Sequence, residues 1–493
     1  MRIVYLDCDT LRPDHLGCYG YHRNTSPNID WIASEGVRFD NYYAPDTPCL
    51  PSRAALYLGR FGIHTGAVGH GGTAADPRVE GPSRLFRQSR EEASWMDILR
   101  EAGLHTVSVS PFAERHSAWW FYRGFSEIYN TGKCGMERAD EVAPAAIDWI
   151  TRHGREDNWF LQINMWDAHT PYRTPLAYGN PFEGEPIPSW ISSEKIAADY
   201  GAYGPHSAQD PAEVGPNDTA RWPRLPADIR TLDDYRMWID GYDTGIRYMD
   251  DHIGLILDAL RAQGVLDDCI IIASSDHGEN QGELNVYGDH QTADQITNRI
   301  PMIIRWPGLV TPGQVDNALH YNLDLPPTMA ELLGARIPTR WDGQSFAATL
   351  QNSTQTGRDH LVLSQCTWSC QRAVRFGDWL MIRTYHDGLK GYPPVMLYNV
   401  ARDPHELNDL AAEQPAVVNE GLALLERWQA EMMSSSDSAI DPLWTVMREG
   451  GPFHTRGMLQ AYAERLRSTG RAGHAEAILA KHTRGEWRSV DEP

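Results

Sequence analysis

Three short segments, far apart in the chain, carry side chains that could do chemistry together. Asp9 follows an apolar run near the start, Asp276 and His277 follow another apolar run, and Cys49 and Arg53 bound the pentapeptide Cys-Leu-Pro-Ser-Arg. Carboxylate oxygens are the ligands preferred by a hard cation such as Ca²⁺, and a histidine ligand also admits Mn²⁺ or Zn²⁺. These residue types are the ones from which a divalent metal site is built, and a thiol is a side chain that can act as a nucleophile.

The elements around these segments can bring them to one place. Residues 3–6 and 270–273 are apolar runs of the kind that form buried parallel strands, and such strands present ligand sites at their carboxyl ends. Residues 52–58 favour a helix that ends at Gly59, which places Cys49 just before the helix start. Because residues two apart on a strand face the same side, Asp7 is expected beside Asp9, as a ligand or as a support for the ligands.

Helices and strands alternate along most of the chain, which predicts an α/β fold with a large, mainly parallel sheet flanked by helices. We assign residues 1–355 to this catalytic domain, with residues 173–230 as an insertion or lid, because that stretch loses its periodicity. Residues 356–433 show strands without helices between them, which predicts a small C-terminal α+β domain with an antiparallel sheet. Residues 434–493 form a helical extension that could cap the site or join subunits into a homo-oligomer.

Composition excludes several classes of protein. The chain has 493 residues and a formal net charge of −22, which argues against binding to nucleic acid or to anionic membranes. The sequence contains no run of about 18 apolar residues, so we expect no transmembrane helix. The first apolar strand begins almost at residue 1 and leaves no room for a signal peptide. The sequence as it stands predicts a cytoplasmic protein, or a periplasmic or secreted one if a leader was removed before residue 1.

The pentapeptide at residues 49–53 resembles the signal by which type I sulfatases, members of the alkaline phosphatase superfamily, have a cysteine oxidised to Cα-formylglycine. The continuation departs from the family at Tyr57 and Leu58, where leucine and threonine are usual. The resemblance implies that Cys49 is modified by a formylglycine-generating enzyme. The hydrate of the aldehyde has two hydroxyls, so that one can attack sulfur and the other can later expel sulfate.

The segments around Asp9 and Asp276 resemble the metal-binding segments of the same family. The resemblance implies a metal, Ca²⁺ in the first place, held by Asp9, Asp276, His277 and the side chain derived from Cys49. Many members have two adjacent aspartates where this chain has Asp9 and Thr10, and Asp7 is the expected compensation.

The same resemblance assigns further catalytic and substrate-binding residues. Arg53 is implied to orient the nucleophile, and His169 resembles the active-site histidine of the family. The two lysines of the family are missing at their expected places. We expect His290 to replace one of them as the acid for the leaving group, and Arg115 or His116 to bind the sulfate oxygens.

The implied activity is hydrolysis of a sulfate monoester, or a sulfamate, on a small carbohydrate or aryl substrate. One alternative is a phosphonate monoester or phosphodiester hydrolase, because similar proteins use the same nucleophile and metal. An alternative from another class is a catalytically silent binding protein, which the absence of both metal and modified Cys49 would favour.

Overall fold

The structure is a computed structural model that describes residues 1–77 and 93–482. Its strands are β1 (Arg2–Cys8), β2 (Val37–Phe39), β3 (Tyr42–Tyr43), β4 (Asp46–Thr47), β5 (His105–Val109), β6 (Glu127–Tyr129), β7 (Trp159–Met165), β8 (Cys269–Ser274), β9 (Asn280–Gln281), β10 (Tyr287–Asp289), β11 (Met302–Arg305), β12 (Gln314–Asp316), β13 (His320–Tyr321), β14 (His360–Gln365), β15 (Cys370–Phe376), β16 (Trp379–His386) and β17 (Val395–Asn399). Its α-helices are α1 (Pro27–Ser34), α2 (Cys49–Leu58), α3 (Gly62–Thr65), α4 (Trp95–Glu101), α5 (Phe112–His116), α6 (Ala139–His153), α7 (Ser193–Gly201), α8 (Leu232–Ala262), α9 (Gln295–Asn298), α10 (Leu325–Leu332), α11 (Ala347–Asn352), α12 (Pro415–Ser435), α13 (Pro442–Arg448), α14 (Leu459–Ser468) and α15 (Ala472–His482).

The larger sheet of the fold has eight strands, in the order β12-β2-β11-β8-β1-β7-β5-β6. Only β11 runs against its neighbours in this sheet, and the other pairs are parallel. Successive residues of β1 alternate between two cores: Val4 and Leu6 pack with α1, α6 and α8, whereas Ile3 and Tyr5 pack with α2, α4 and α10. The predicted α/β fold with helices on both faces is therefore confirmed.

A second sheet has the order β17-β16-β15-β14-β4. The strands β14 to β17 are antiparallel, and α12 packs against them in one hydrophobic cluster. The edge strand β4, at residues 46–47, comes from the N-terminal part of the chain and pairs parallel with β14. Because α2 begins two residues after β4, the second sheet fixes the start of the helix that carries Cys49.

Residues 173–230 and the C-terminal extension contact each other through ion pairs to one buried aspartate. Asp210 accepts hydrogen bonds from Arg465 and Arg471 of the extension, at 2.7 and 2.6 Å. Residues 483–493 of the predicted extension lie outside the described part of the chain. Among the described residues, no helix has the length and apolar character needed to cross a bilayer.

One glycine allows α8 to approach the segment that follows β7. A Cβ atom on Gly245 would lie 2.3 Å from the carbonyl oxygen of Asp167. We therefore expect Gly245→Ala to lower the free energy of unfolding by about 1–3 kcal/mol, measured by urea denaturation. The control is Gly201→Ala, because a Cβ atom there meets nothing within 4 Å. Equal stability of the two variants would show that the close approach carries no cost.

Candidate active site

Cys49 is the first residue of α2 and is only 1% exposed. Its Sγ lies 3.0 Å from Nε2 of His277, which follows the carboxyl end of β8. The helix ends at Gly59, which has a φ of +62° and so terminates the helix in the left-handed region. The predicted start of a helix near Cys49 is thus close to the observed one, and the thiol faces the residues that follow β8.

Arg53 lies one helical turn after Cys49 and binds three buried carboxylates. Its Nε and Nη2 donate to Asp7 at 3.1 and 3.0 Å, its Nη1 donates to Asp276, and Nη2 lies 3.1 Å from Oδ2 of Asp9. The guanidinium also stacks near Phe112, with 4.7 Å from Cζ to the ring centroid. The guanidinium of Arg53 therefore holds the carboxyl ends of β1 and β8 next to the first turns of α2.

Four side chains form a candidate metal centre: Asp9, Cys49, Asp276 and His277. Their ligand atoms all lie within 4.8 Å of one another, and all four residues are buried. Nδ1 of His277 donates to the carbonyl of Gly278 at 2.8 Å, which leaves the Nε2 lone pair facing Cys49.

The electrostatics of these groups fit a divalent cation. Both oxygens of Asp9 are buried, and apart from the 3.1 Å ion pair between Oδ2 and Arg53 they have no hydrogen-bond partner among the described residues. Burial and the nearby Asp276 raise the pKa of Asp9 well above its ordinary value. Burial also acts to raise the pKa of Asp276, but Arg53 and His277 outweigh it and hold that pKa low. Asp9 shares the guanidinium of Arg53 with two other carboxylates. A buried carboxylate that is only partly compensated in this way, beside a second carboxylate and an imidazole lone pair, matches what a divalent metal requires.

Asp7 lies beside this cluster rather than in it. Its oxygens accept hydrogen bonds from Arg53 and, at 3.1 Å, from Gln162 of β7. Of the two roles predicted for Asp7, these contacts match the supporting one, because they hold Arg53 in place.

Histidines surround the thiol on its other sides. A ring nitrogen of His290 lies within 4.8 Å of Cys49 and His277, and ring nitrogens of His70 and His116 lie within the same distance of Cys49. The ring of His169 is 5.6 Å from that of His290. The structure therefore brings the predicted His116, His169 and His290 to one site.

Arg115 is the remaining predicted substrate-binding residue. Its guanidinium lies over Trp166, 5.3 Å from the ring centroid, and its Nη1 donates to the carbonyl of Cys134 at 3.3 Å. Its Nε is buried and makes no hydrogen bond to the described residues. Burial raises the pKa of both Asp9 and Cys49, and the positive charge of Arg115 acts against that rise at each of them, so Arg115 lies near enough to attract an anion at the site.

Asp289 is a further residue of the site, beside the predicted acid His290, and no motif pointed to it. Its carboxylate accepts from the backbone of His290 at 2.7 Å and lies 2.9 Å from Nε2 of His206. Burial and His277 lower the pKa of His290 to about 3, so its imidazole is neutral at pH 7. The position of Asp289 next to His290 in the sequence was the only available signal for it.

Three further histidines of the site, His70, His206 and His454, were also missed. His70 lies in a glycine-rich loop, His206 in the insertion, and His454 in the C-terminal extension. None lies in a periodic element, so no spacing pointed to them.

A second cluster, formed by His386, Asp387 and His482, has ligand atoms within 4.8 Å of one another. Lys481 donates to the same Asp387 carboxylate, and Nδ1 of His386 accepts from the backbone of Gly388 at 3.2 Å. A neutral His386 that accepts at Nδ1 carries its proton on Nε2, so neither nitrogen offers a free lone pair. These contacts match a structural anchor for α15 rather than a metal site.

Comparisons with known proteins agree on one family. The family model described as Sulfatase matches residues 2–335, and a model described as N-sulphoglucosamine sulphohydrolase, C-terminal, matches residues 282–428. The N-acetylglucosamine-6-O-sulfatase of Bacteroides thetaiotaomicron is 22% identical over 91% of this chain and 89% of its own length. Arylsulfatase A of Homo sapiens is 25% identical over 89% of this chain and 88% of its own length.

Solved structures share the fold. An enzyme in complex with its substrate D-glucosamine-2-N,6-O-disulfate gives a TM-score of 0.70 at 19% identity, over 88% of this chain and 98% of that one. The phosphonate monoester hydrolase of Silicibacter pomeroyi gives 0.68 at 20% identity, over 88% of this chain and 96% of that one. Fold similarity alone does not separate the two activities.

Proposed function

Since the chain belongs to the sulfatase family and is a sulfuric ester hydrolase, we propose that Cys49, oxidised to Cα-formylglycine, is its nucleophile and acts beside a divalent metal. The observation that carries this proposal is the position of Cys49 at the head of α2. There its Sγ lies within 4.8 Å of ligand atoms of Asp9, Asp276 and His277.

The modified side chain and the metal supply the chemistry that no ordinary side chain provides. The aldehyde hydrate offers one hydroxyl for attack on sulfur and a second whose deprotonation expels sulfate. A bound divalent metal, Ca²⁺ in the first place, would offset negative charge on the nucleophile and the sulfate oxygens. Asp9, Asp276 and His277 would hold it, and Mn²⁺ or Zn²⁺ also match this mixed donor set.

The chain's own residues bind the sulfate and donate hydrogen bonds to the oxygens that become charged. Arg53 fixes the start of α2 against the carboxylates, and Arg115 and His116 are placed to bind the sulfate oxygens. His290, whose backbone N–H donates to Asp289, would stabilise the leaving oxygen by donating a hydrogen bond from its neutral ring, and His169 faces His290 across the site. Neutral imidazoles suit these roles because each can donate one hydrogen bond and accept another.

Sulfated carbohydrates are the substrates that we propose first. The names of the relatives point this way, since one acts on N-acetylglucosamine 6-sulfate groups and one solved neighbour binds a disulfated glucosamine. Aryl sulfates stay the second possibility because of the similarity to arylsulfatase A. His206 of the insertion and His454 of the extension border the site, so these two segments would select the organic part of the substrate.

Mass spectrometry of the peptide that contains Cys49 tests the proposal. After co-expression with a formylglycine-generating enzyme, we expect the mass of the aldehyde and turnover of p-nitrophenyl sulfate, and Cys49→Ala should abolish turnover without unfolding the protein. Because Cys49 is 1% exposed, the modifying enzyme should act on the unfolded chain and fail on the folded protein. Fully modified, metal-loaded protein that hydrolyses no sulfate ester would contradict the proposal.

A phosphonate monoester hydrolase is the second candidate, because the fold resembles such an enzyme, with a TM-score of 0.68, almost as closely as it resembles the neighbour that binds a sulfated sugar, with 0.70. Sulfate monoesters and phosphonate monoesters both present a singly charged tetrahedral group, so the same nucleophile could attack either. The ratio of kcat/KM for p-nitrophenyl sulfate and p-nitrophenyl phenylphosphonate separates the two. A ratio well below one would assign the protein to the second activity.

A further inference from the structure

His454, which belongs to the C-terminal extension, lies with its imidazole at the edge of the active site. Its Nε2 lies 3.0 Å from Nδ1 of His70, whose ring is 4.6 Å from that of His116. The ring of His454 stacks on Trp368 at 4.6 Å and 22°, and its backbone N–H donates to Thr367 at 3.0 Å. His454 therefore contacts His70, one of the histidines beside Cys49.

The extension is held firmly enough to keep this contact. Arg465 and Arg471 bind the buried Asp210, and Lys481 binds the buried Asp387. These contacts fix α14 and α15, which follow His454 in the chain, and the backbone hydrogen bond to Thr367 fixes His454 itself.

The contact between the two rings constrains where their hydrogens lie. Burial lowers the pKa of His454 to about 4 and that of His70 well below its ordinary value, so both rings are neutral at pH 7. Each neutral ring has one N–H, and a 3.0 Å contact between two nitrogens is a hydrogen bond only if one hydrogen lies between them. Either His454 donates from Nε2, or His70 donates from Nδ1.

These two arrangements differ in whether Nε2 of His70, which faces the site, carries a hydrogen or a lone pair. If His70 donates from Nδ1, its Nε2 presents a lone pair, which repels the oxygens of an anion. If His454 donates, Nε2 of His70 carries the hydrogen and can donate to such an oxygen. That Nε2 is buried and has no hydrogen-bond partner among the described residues, so it is available for a substrate.

We infer that His454 is a positioning residue, which donates to Nδ1 of His70 and so turns Nε2–H of His70 toward a bound sulfate group. The inference rests on the proposed function, because it takes the ligand of the site to be the sulfate of an ester. It assigns the C-terminal extension a part in sulfate binding.

The tautomer of His70 can be observed without turnover. Long-range ¹H–¹⁵N correlation spectra of the metal-loaded protein labelled with ¹⁵N-histidine, assigned with His70→Gln and His454→Phe, report which ring nitrogen is protonated. We expect His70 protonated at Nε2 in the wild type and a shift toward the Nδ1 form in His454→Phe. Protonation of His70 at Nδ1 in the wild type overturns the inference, whether or not the protein hydrolyses sulfate esters.

Kinetics then test the consequence for binding. His454→Phe keeps a flat ring on Trp368 but removes the donor, and we expect about a tenfold rise in KM and in the inhibition constant of inorganic sulfate, the value of one hydrogen bond to an anion. His454→Gln restores a donor and should recover part of the loss. Trp444→Ala, on the surface of the same extension, should change neither constant.

A double-mutant cycle separates positioning from simple structural damage. In a His70→Ala background, His454→Phe should raise KM less than twofold further, because its partner is gone. Additive losses in the cycle, or a loss in His454→Phe that is matched by a lower melting temperature, would overturn the inference.

Discussion

Arg53→Met is expected to lower kcat/KM by about a thousandfold and the free energy of unfolding by about 3–5 kcal/mol. Asp7, Asp9 and Asp276 would then face one another without the guanidinium that lies between them. Removing one partner of a buried ion pair is costly because it leaves an uncompensated charge in a medium of low polarity. Urea denaturation without divalent metal, together with steady-state kinetics, measures both effects.

Arg53→Lys is the matched control. A lysine keeps the positive charge, but it cannot bind Asp7 and Asp276 at once through separate nitrogens as the planar guanidinium does. We expect stability between that of the wild type and the methionine variant, with activity close to that of the methionine variant. A methionine variant as stable as the wild type would show that the three carboxylates are protonated or otherwise compensated in the metal-free protein.

The centre of this site follows rules that act over short distances, and so it was predictable. Cys49 and Arg53 are four residues apart on a helix, which places them on one face. Asp9, Asp276 and His277 follow buried apolar strands, and the neighbouring positions of β1 and β8 in a parallel sheet bring their carboxyl ends together. The continuous apolar runs also identified the parallel sheet, which the structure confirms.

The periphery of the site depends on contacts that no local pattern records. His206 and His454 reach the site because Asp210 and Thr367 fix the segments that carry them, and those contacts join residues far apart in sequence. The pairing of β4 with β14 was missed for the same reason, since a strand of two residues has no readable alternation. The domain boundary predicted between residues 355 and 356 stays a prediction. The strand β4 belongs to the second sheet but is followed directly in the chain by α2, the helix that carries Cys49.

Asp9→Asn is expected to change stability in opposite directions with and without metal. In the metal-free protein the variant should be more stable by about 1–3 kcal/mol, because burial and the neighbouring Asp276 make a charged Asp9 costly in spite of its ion pair with Arg53. With Ca²⁺ at about a thousand times its dissociation constant, the wild type should gain about 4 kcal/mol. The variant should lose most of this gain, together with its activity.

Asp7→Asn separates a metal ligand from a neighbour of the ligands. Asp7 has the same chemistry and burial as Asp9, but its oxygens are bound by Arg53 and Gln162. We therefore expect Asp7→Asn to keep the stabilisation by Ca²⁺, measured as the shift in melting temperature, while kcat falls because Arg53 loses a partner. If Asp7→Asn abolished the shift and Asp9→Asn kept it, the assignment of the two aspartates would be reversed, and the metal would lie on the side of β1 that faces β7.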